Sequence, residues 1–317
     1  MLRKTGNKIQ GSGSGFEITG REISLNTEKN AALSPDKTGL VLEGGAMRGL
    51  FTAGVTDVMM ENDITYDFAV GVSAGVLFGC NYKSRQPGRA IRYNLTYCKN
   101  PHYGTFRSLF RSGDMYETDF CYETVPFHKD PFDSKTFREN PMEFWAVCTD
   151  LVTGKPLYRK LERGDRRDVR WMVASAAMPL VSRIVRIGGY ELLDGGVSDS
   201  IPLKFAESRG CRKNVVILTQ PEGYVKEKNP LLPLMRLQLR KYPEFLRTAE
   251  MRHEAYNAET AYVAEREMEG AAFVIRPEEA LGISRVEKDP DELLRVYMMG
   301  RRVMQERMPE LRTFLGQ

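Results

Sequence analysis

The pentapeptide Gly71-Val72-Ser73-Ala74-Gly75 has the form G-x-S-x-G, and its surroundings narrow the architectures that can carry it. Upstream, Tyr66 to Val70 is a short apolar run of strand character; downstream, Ala74 to Phe78 opens an apolar segment able to turn helical. Strand, sharp turn and helix put the serine at a bend where bulk is excluded, so its neighbours must be small. The hydroxyl then projects above a sheet edge, with the amides of the helix's first turn pointing towards it. Glycine and serine also gather in ordinary strand-to-helix turns, and the pentapeptide alone does not separate that reading from a nucleophile.

Two further segments bear on the choice. In Leu40 to Gly49 (LVLEGGAMRG), Val41 and Leu42 end a buried strand, a glycine-rich turn follows, and an amphipathic helix is expected from Leu50. Such a turn frees backbone N–H groups for an anion, either a dinucleotide pyrophosphate or the oxyanion of a tetrahedral intermediate. The dinucleotide pattern G-x-G-x-x-G fails at Ala46, and no acidic ribose partner closes a second strand. The other segment is Leu192-Leu193-Asp194-Gly195-Gly196, an acid ending an apolar strand before paired glycines. By itself it reads equally well as a capping turn.

In order and context the three segments resemble the patatin-like phospholipase family. The resemblance extends to Ala146–Gly154 and Ala174–Leu180 and covers the stretch from Gly39 to Gln220. It implies a Ser–Asp dyad with Ser73 as nucleophile and Asp194 as general base. It also implies an oxyanion hole at the amides of Gly44, Gly45 and Ala46. Arg48 and Gly49 support that loop, Gly71 and Gly75 form the elbow, and Gly195 and Gly196 complete the acid motif. Ala46 departs from the family, which usually has a third glycine there; its methyl group narrows the backbone choice while leaving the N–H available. The implied activity is hydrolysis of carboxylic esters of lipids, of the phospholipid or lysophospholipid class, through an acyl-enzyme. A lipid acyltransferase would share every motif, and a catalytically weak lipid-binding or regulatory module would share the fold.

A dyad suits a chain with three histidines, His102, His128 and His253. Only His253 follows Asp194, as a Ser…Asp…His order would require, and it lies in a charged helical stretch that reads as solvent-facing. A carboxylate can replace imidazole where a dry pocket raises its basicity. The chemistry requires neither metal nor cofactor, and no calcium loop or zinc spacing is visible.

At 317 residues, 42% of them hydrophobic, the chain can bury a full core in one large domain. Alternating α and β elements predict a three-layer α/β/α sandwich around a mainly parallel sheet. Residues 1–37, with the tether GSGSG, are expected to be a flexible extension, and 38–317 the folded domain. Five cysteines without C-x-x-C spacing point to reduced thiols in the cytoplasm. No run approaches the ~20 apolar residues of a membrane helix, and no secretory signal is visible.

Between Asp67 and Asp114 the chain carries no acid but has Lys83, Arg85, Arg89, Arg92, Lys99, Arg107 and Arg111, interleaved with Tyr82, Tyr93, Tyr97, Tyr103, Phe106 and Phe110. Such a block is either a helix with a solvated basic face or a surface for anionic headgroups at the mouth of the acyl pocket, hence an expected peripheral contact of residues 83–111 with the inner membrane face. Nucleic-acid binding has no motif in its favour. Leu231 to Tyr242, apolar with basic punctuation, reads as core-packing helix or mobile lid.

Overall fold

The computed structural model describes residues 37–103, 117 and 119–317. Of the expected N-terminal extension only Lys37 falls within them, and it already belongs to the first strand. The strands are β1 (Lys37–Leu42), β2 (Phe68–Val72), β3 (Glu143–Asp150), β4 (Pro156–Leu161), β5 (Val185–Ile187), β6 (Tyr190–Asp194), β7 (Cys211–Ile217) and β8 (Ala272–Ile275). The α-helices are α1 (Gly49–Glu61), α2 (Ala74–Lys83), α3 (Arg89–Tyr97), α4 (Ser134–Glu139), α5 (Arg166–Ser175), α6 (Leu203–Ser208), α7 (Leu232–Gln238), α8 (Pro243–Met268) and α9 (Pro290–Leu315). Phe120–Lys129 forms a π-helical segment.

Side-chain alternation along the central strands decides the layering. Leu40 and Leu42 of β1, Ala69 of β2, and Val215 and Ile217 of β7 enter one apolar cluster. Val41, Phe68, Val70, Val72 and Val216 enter a second, on the opposite face. A sheet buried on both faces must be covered on both. Helices α1, α2 and α9 supply Phe51, Met59, Phe78, Leu293 and Met304 to the first cluster; α6 and α8 supply Leu203, Ala206, Tyr256 and Val263 to the second. The result is a three-layer α/β/α sandwich. Its sheet runs in the order β5-β6-β3-β2-β1-β7-β8, with β4 also paired to β3. The pairs β1·β2, β1·β7, β2·β3 and β7·β8 are parallel; β3·β4, β3·β6 and β5·β6 are antiparallel.

Helix α1 is not the amphipathic helix its sequence suggests: every residue from Gly49 to Met60 is buried. It lies between the sheet and α9, where Gly54 approaches the Tyr297 carbonyl and Gly300 the Phe51 carbonyl too closely for a Cβ. The chain is interrupted between α7 and α8, with Pro233 and Pro243 in the first turns of the two helices, where a missing N–H costs nothing. Helix α9 runs to Leu315 with Pro309 inside it. Strand β5 was not anticipated; it forms a hairpin with β6 across Gly188 and Gly189, both at positive φ. Among the described residues, no helix is long and apolar enough to cross a membrane.

Candidate active site

Register on β3 brings the two distant motifs together. Val147 pairs with Val72, the last residue of β2, and the next residue, Cys148, pairs with Asp194, the last of β6. Cys148 is also opposite Leu157 of β4, so β4 takes one edge of β3 while β2 and β6 meet end to end along the other. The residue after Val72 is Ser73. Its Oγ donates a hydrogen bond of 2.7 Å to Asp194 Oδ2. Both residues are buried, 8% and 6% exposed.

Strand β2 runs two residues further than its apolar pattern suggested, to Val72, so Ser73 is the first residue to leave the sheet. It does so at φ 54°, ψ −122°, a conformation that disfavours any side chain. The elbow closes because Gly71 packs on the backbone of Gly75, and Gly75 on the Leu42 carbonyl, with no room for a Cβ at either position. The Ser73 N–H donates to Ser175 Oγ at 3.0 Å, and that hydroxyl donates to the Val147 carbonyl at 2.6 Å. Ser175, at the end of α5, thus holds the bend from behind. It was not singled out in the sequence, although it lies in the segment Ala174–Leu180.

The glycine loop lies directly over Ser73: a Cβ on Gly44 would stand 3.0 Å from that of the serine. The N–H groups of Gly44, Gly45 and Ala46 have no hydrogen-bond acceptor among the described residues. Ala46 takes φ 51°, the left-handed region that its missing glycine would suit. Ala46→Gly is therefore expected to raise stability by about 1 kcal/mol in denaturant unfolding. An unchanged or lower midpoint would show that the methyl group carries no strain. Gly49 packs on Ala74 and Phe78, tying the loop to α2. Arg48 Nε lies 3.4 Å from Thr219 Oγ1.

A buried acid missed in the sequence anchors this loop from below. Glu43 accepts hydrogen bonds from the Thr219 N–H (2.5 Å), the Thr219 hydroxyl (3.1 Å) and the Tyr256 hydroxyl (2.8 Å). Its partners come from after β7 and from α8, so spacing within the motif could not reveal them.

Asp194 is held as firmly as Ser73. Its Oδ1 accepts the Gly196 N–H at 2.8 Å, and its carbonyl accepts the Thr149 hydroxyl at 2.8 Å. Gly195 packs on the Val147 carbonyl, where a Cβ would overlap it. Burial pushes the Asp194 carboxyl above the ordinary aspartate value; the Ser73 hydroxyl, the Arg252 guanidinium and the Gly196 amide pull the other way without cancelling it. The basic group that α8 directs to this corner is Arg252, whose Nε donates to the Gly196 carbonyl. Its neighbour His253 faces the Glu250 carbonyl (3.1 Å) and Glu254 instead, and is not among the hydrogen-bond partners of Asp194.

Ser73 sits where two lobes of a cleft meet. One lobe is apolar, walled by Leu77, Phe78, Tyr93, Val125, Phe132 and Met172. The other is polar and bears Arg48, Lys226, Arg252 and Arg285. The described part of the basic and aromatic stretch divides between inward and solvated cations. Lys83 is buried and donates to the carbonyls of Asn140 and Met142, and Arg89 is buried on Asn81 and the Asp130 carbonyl. Arg92 pairs with Asp130 through two bonds of 2.8 Å. Lys83 and Arg89 are spent inside the fold, because a basic side chain beside an apolar wall is tolerated only when its donors are satisfied, whereas Arg92 stays exposed. Arg85 and Lys99 are exposed; Arg107, Arg111, Phe106 and Phe110 lie outside the described residues. Helix α7 buries Leu232 and Met235 over Phe245 and Ala249, as a packed helix does, and exposes Leu234 and Leu237.

The model of the patatin-like phospholipase family matches residues 40–207, and a domain of unknown function, DUF6363, matches residues 242–316. The chain is 30% identical over 220 residues to the uncharacterized protein YjjU of Escherichia coli K12, covering 64% of this chain and 58% of that one. It is 27% identical over 211 residues to lysophospholipase NTE1 of Kluyveromyces lactis, covering 63% of this chain and 13% of that one. It thus spans little more than half of the first relative and a small part of the second. Among solved structures, VipD of Legionella pneumophila aligns with a TM-score of 0.42 and 13% identity, over 86% of this chain and 67% of that one.

Proposed function

The chain belongs to the patatin-like phospholipase family, and from that premise we propose that it is a serine acyl hydrolase acting on lipid esters through Ser73 and Asp194. The observation that carries this reading is the 2.7 Å hydrogen bond from Ser73 Oγ to a buried carboxylate, beneath a loop of unengaged amides. In the proposed cycle Asp194 takes the Ser73 proton as Oγ attacks the ester carbonyl. The amides of Gly44, Gly45 and Ala46 stabilise the oxyanion, for which fixed donors are worth more than mobile water. Asp194 returns the proton to the departing alcohol, leaving an acyl group on Ser73. A water deprotonated by Asp194 then releases the fatty acid and restores the serine.

The apolar lobe gives the acyl chain a place against Leu77, Phe78 and Met172. The raised carboxyl of Asp194 makes it a stronger base than a solvated aspartate, and so suits it to a task usually given to histidine. A fluorophosphonate probe should label Ser73, and a panel of phospholipid, lysophospholipid, monoacylglycerol and p-nitrophenyl esters should show turnover that disappears in Ser73→Ala. A folded wild-type protein that neither labels nor turns over any ester would leave the fold as a binding module.

A further inference from the structure

The polar lobe has an excess of unpaired cations for which the hydrolytic cycle has no use. Arg48, Lys226, Arg252 and Arg285 all line it. Among the described residues none of the four forms an ion pair with a carboxylate. Arg48 reaches only the Thr219 hydroxyl, Arg252 donates to the Gly196 carbonyl, and Lys226 Nζ stands 4.1 Å over the Tyr256 ring. The two acids of the lobe are already engaged, Glu43 by Thr219 and Tyr256, and Asp194 by Ser73 and Gly196. Other half-buried cations of the fold reach carboxylates, as Arg301 with Glu61 and Arg266 with Glu207. With four cations against two engaged carboxylates the half-buried lobe has an excess of positive charge, which is costly unless an anion arrives. Burial, with the neighbouring Arg252, Arg48 and Arg285, lowers the Lys226 ammonium to about 8 against the opposing pull of Glu43.

We propose that Arg48, Lys226, Arg252 and Arg285 form a subsite for the phosphate of a single-chain lipid, and that they select net-anionic headgroups over zwitterionic and neutral ones. The inference rests on Ser73 being the attacking group. An ester held at Ser73 would lay its acyl chain in the apolar lobe and its alcohol portion in the polar lobe. The groups that meet the alcohol portion there are guanidinium and ammonium donors suited to phosphate oxygens. With both carboxylates engaged, the lobe has no free anion to greet a choline or ethanolamine ammonium. Lys226, Arg252 and Arg285 follow the segment matched by the family model, and Arg252 and Arg285 lie within the C-terminal domain of unknown function. That domain thereby acquires a role: it supplies headgroup recognition to an acyl-transfer site built by the rest of the chain.

Two arms test the proposal on the full chain. In the first, kcat/KM is measured for octanoyl-lysophosphatidylglycerol, octanoyl-lysophosphatidylcholine and monooctanoylglycerol as dispersed monomers. Wild type should prefer them in that order, and in Arg285→Gln and Lys226→Gln the ratio of the first to the last should fall about 30-fold, mainly through KM. Lys226→Arg should restore most of the preference. In the second, an ether analogue of the lysophosphatidylglycerol, which has no ester to cleave, is titrated into Ser73→Ala by calorimetry. It should bind, and should weaken by a similar factor when Arg285→Gln is added to that background. Competition by inorganic phosphate as strong as that by the ether lipid would mean a free-phosphate site and overturn the lipid assignment. A ratio unmoved by both substitutions, with unchanged ether binding, would remove the subsite even if Ser73 proves reactive. Charge-dependent ether binding without any ester turnover would support the subsite and fail the hydrolase reading instead.

Discussion

Ser73→Ala and Ser73→Gly are both expected to lose lipid-ester turnover by about 10⁴-fold or more, yet the glycine variant should be the more stable of the two by about 1 kcal/mol. The loss follows from removing the hydroxyl that donates to Asp194 Oδ2. The ranking follows from the backbone. Alanine normally outperforms glycine because it restricts the unfolded chain, but at φ 54° a Cβ is itself the problem. Both variants lack the hydroxyl, so their difference isolates the bend from the hydrogen bond. Denaturant unfolding of the pair reads it. An alanine variant as stable as the glycine one would show an unstrained elbow, and turnover surviving in either would take Ser73 out of the chemistry.

Asp194→Asn should reduce turnover by a similar factor while raising the unfolding midpoint at neutral pH. Asparagine is nearly isosteric: its oxygen can keep the Gly196 N–H and its amide can donate to Ser73 Oγ, so geometry survives and basicity does not. The stability gain comes from the direction of the carboxyl's shift. Burial raises the folded-state value above that of the unfolded chain, so the folded state holds its proton more tightly. The corresponding stability is fully present below the unfolded value of 3.8 and is lost as pH rises through the folded value. Asparagine removes that loss, so the variant's advantage should fade as the pH is lowered towards 3.8. Wild-type kcat should in turn fall as pH drops through the folded value, with one ionisation and no dependence on His253. A variant destabilised at neutral pH, or a His253→Ala protein that folds but does not turn over, would contradict the dyad.

The sheet, the elbow and the acid's strand were legible because each is a local pattern: apolar strands two residues in period, glycines where backbones touch, and an acid at a strand end. The family resemblance followed from the same segments, and the family is the one the chain belongs to. What was not legible depends on contacts between distant segments. Glu43 stood in full view inside the glycine motif, but its meaning rests on Thr219 and Tyr256. Ser175 and Arg252 look like ordinary helix residues until α5 and α8 are folded against Val147 and Gly196. Counting charge along the chain misled in one place: Lys83 and Arg89 belong to a conspicuously basic stretch, yet they point inward to carbonyls and to Asn81. Meanwhile three of the four cations in the polar lobe beside Ser73 are scattered among acids from Lys226 to Arg285, where composition gives no hint of them. Side-chain direction, which the sum of charges ignores, makes the difference.

Strand β6 delivers its carboxylate to the seam under a strict parity condition. Leu193 and Asp194 point to opposite sides of the sheet, and the Thr149 hydroxyl on the Asp194 carbonyl marks where the strand must stop. Evolutionary insertions are therefore sorted by position. Extra residues at the Gly188-Gly189 tip lengthen an exposed ribbon and leave Ser73 and Asp194 facing each other, whereas a single residue added between Leu192 and Leu193 would carry the acid to the far layer and install a leucine in front of the serine.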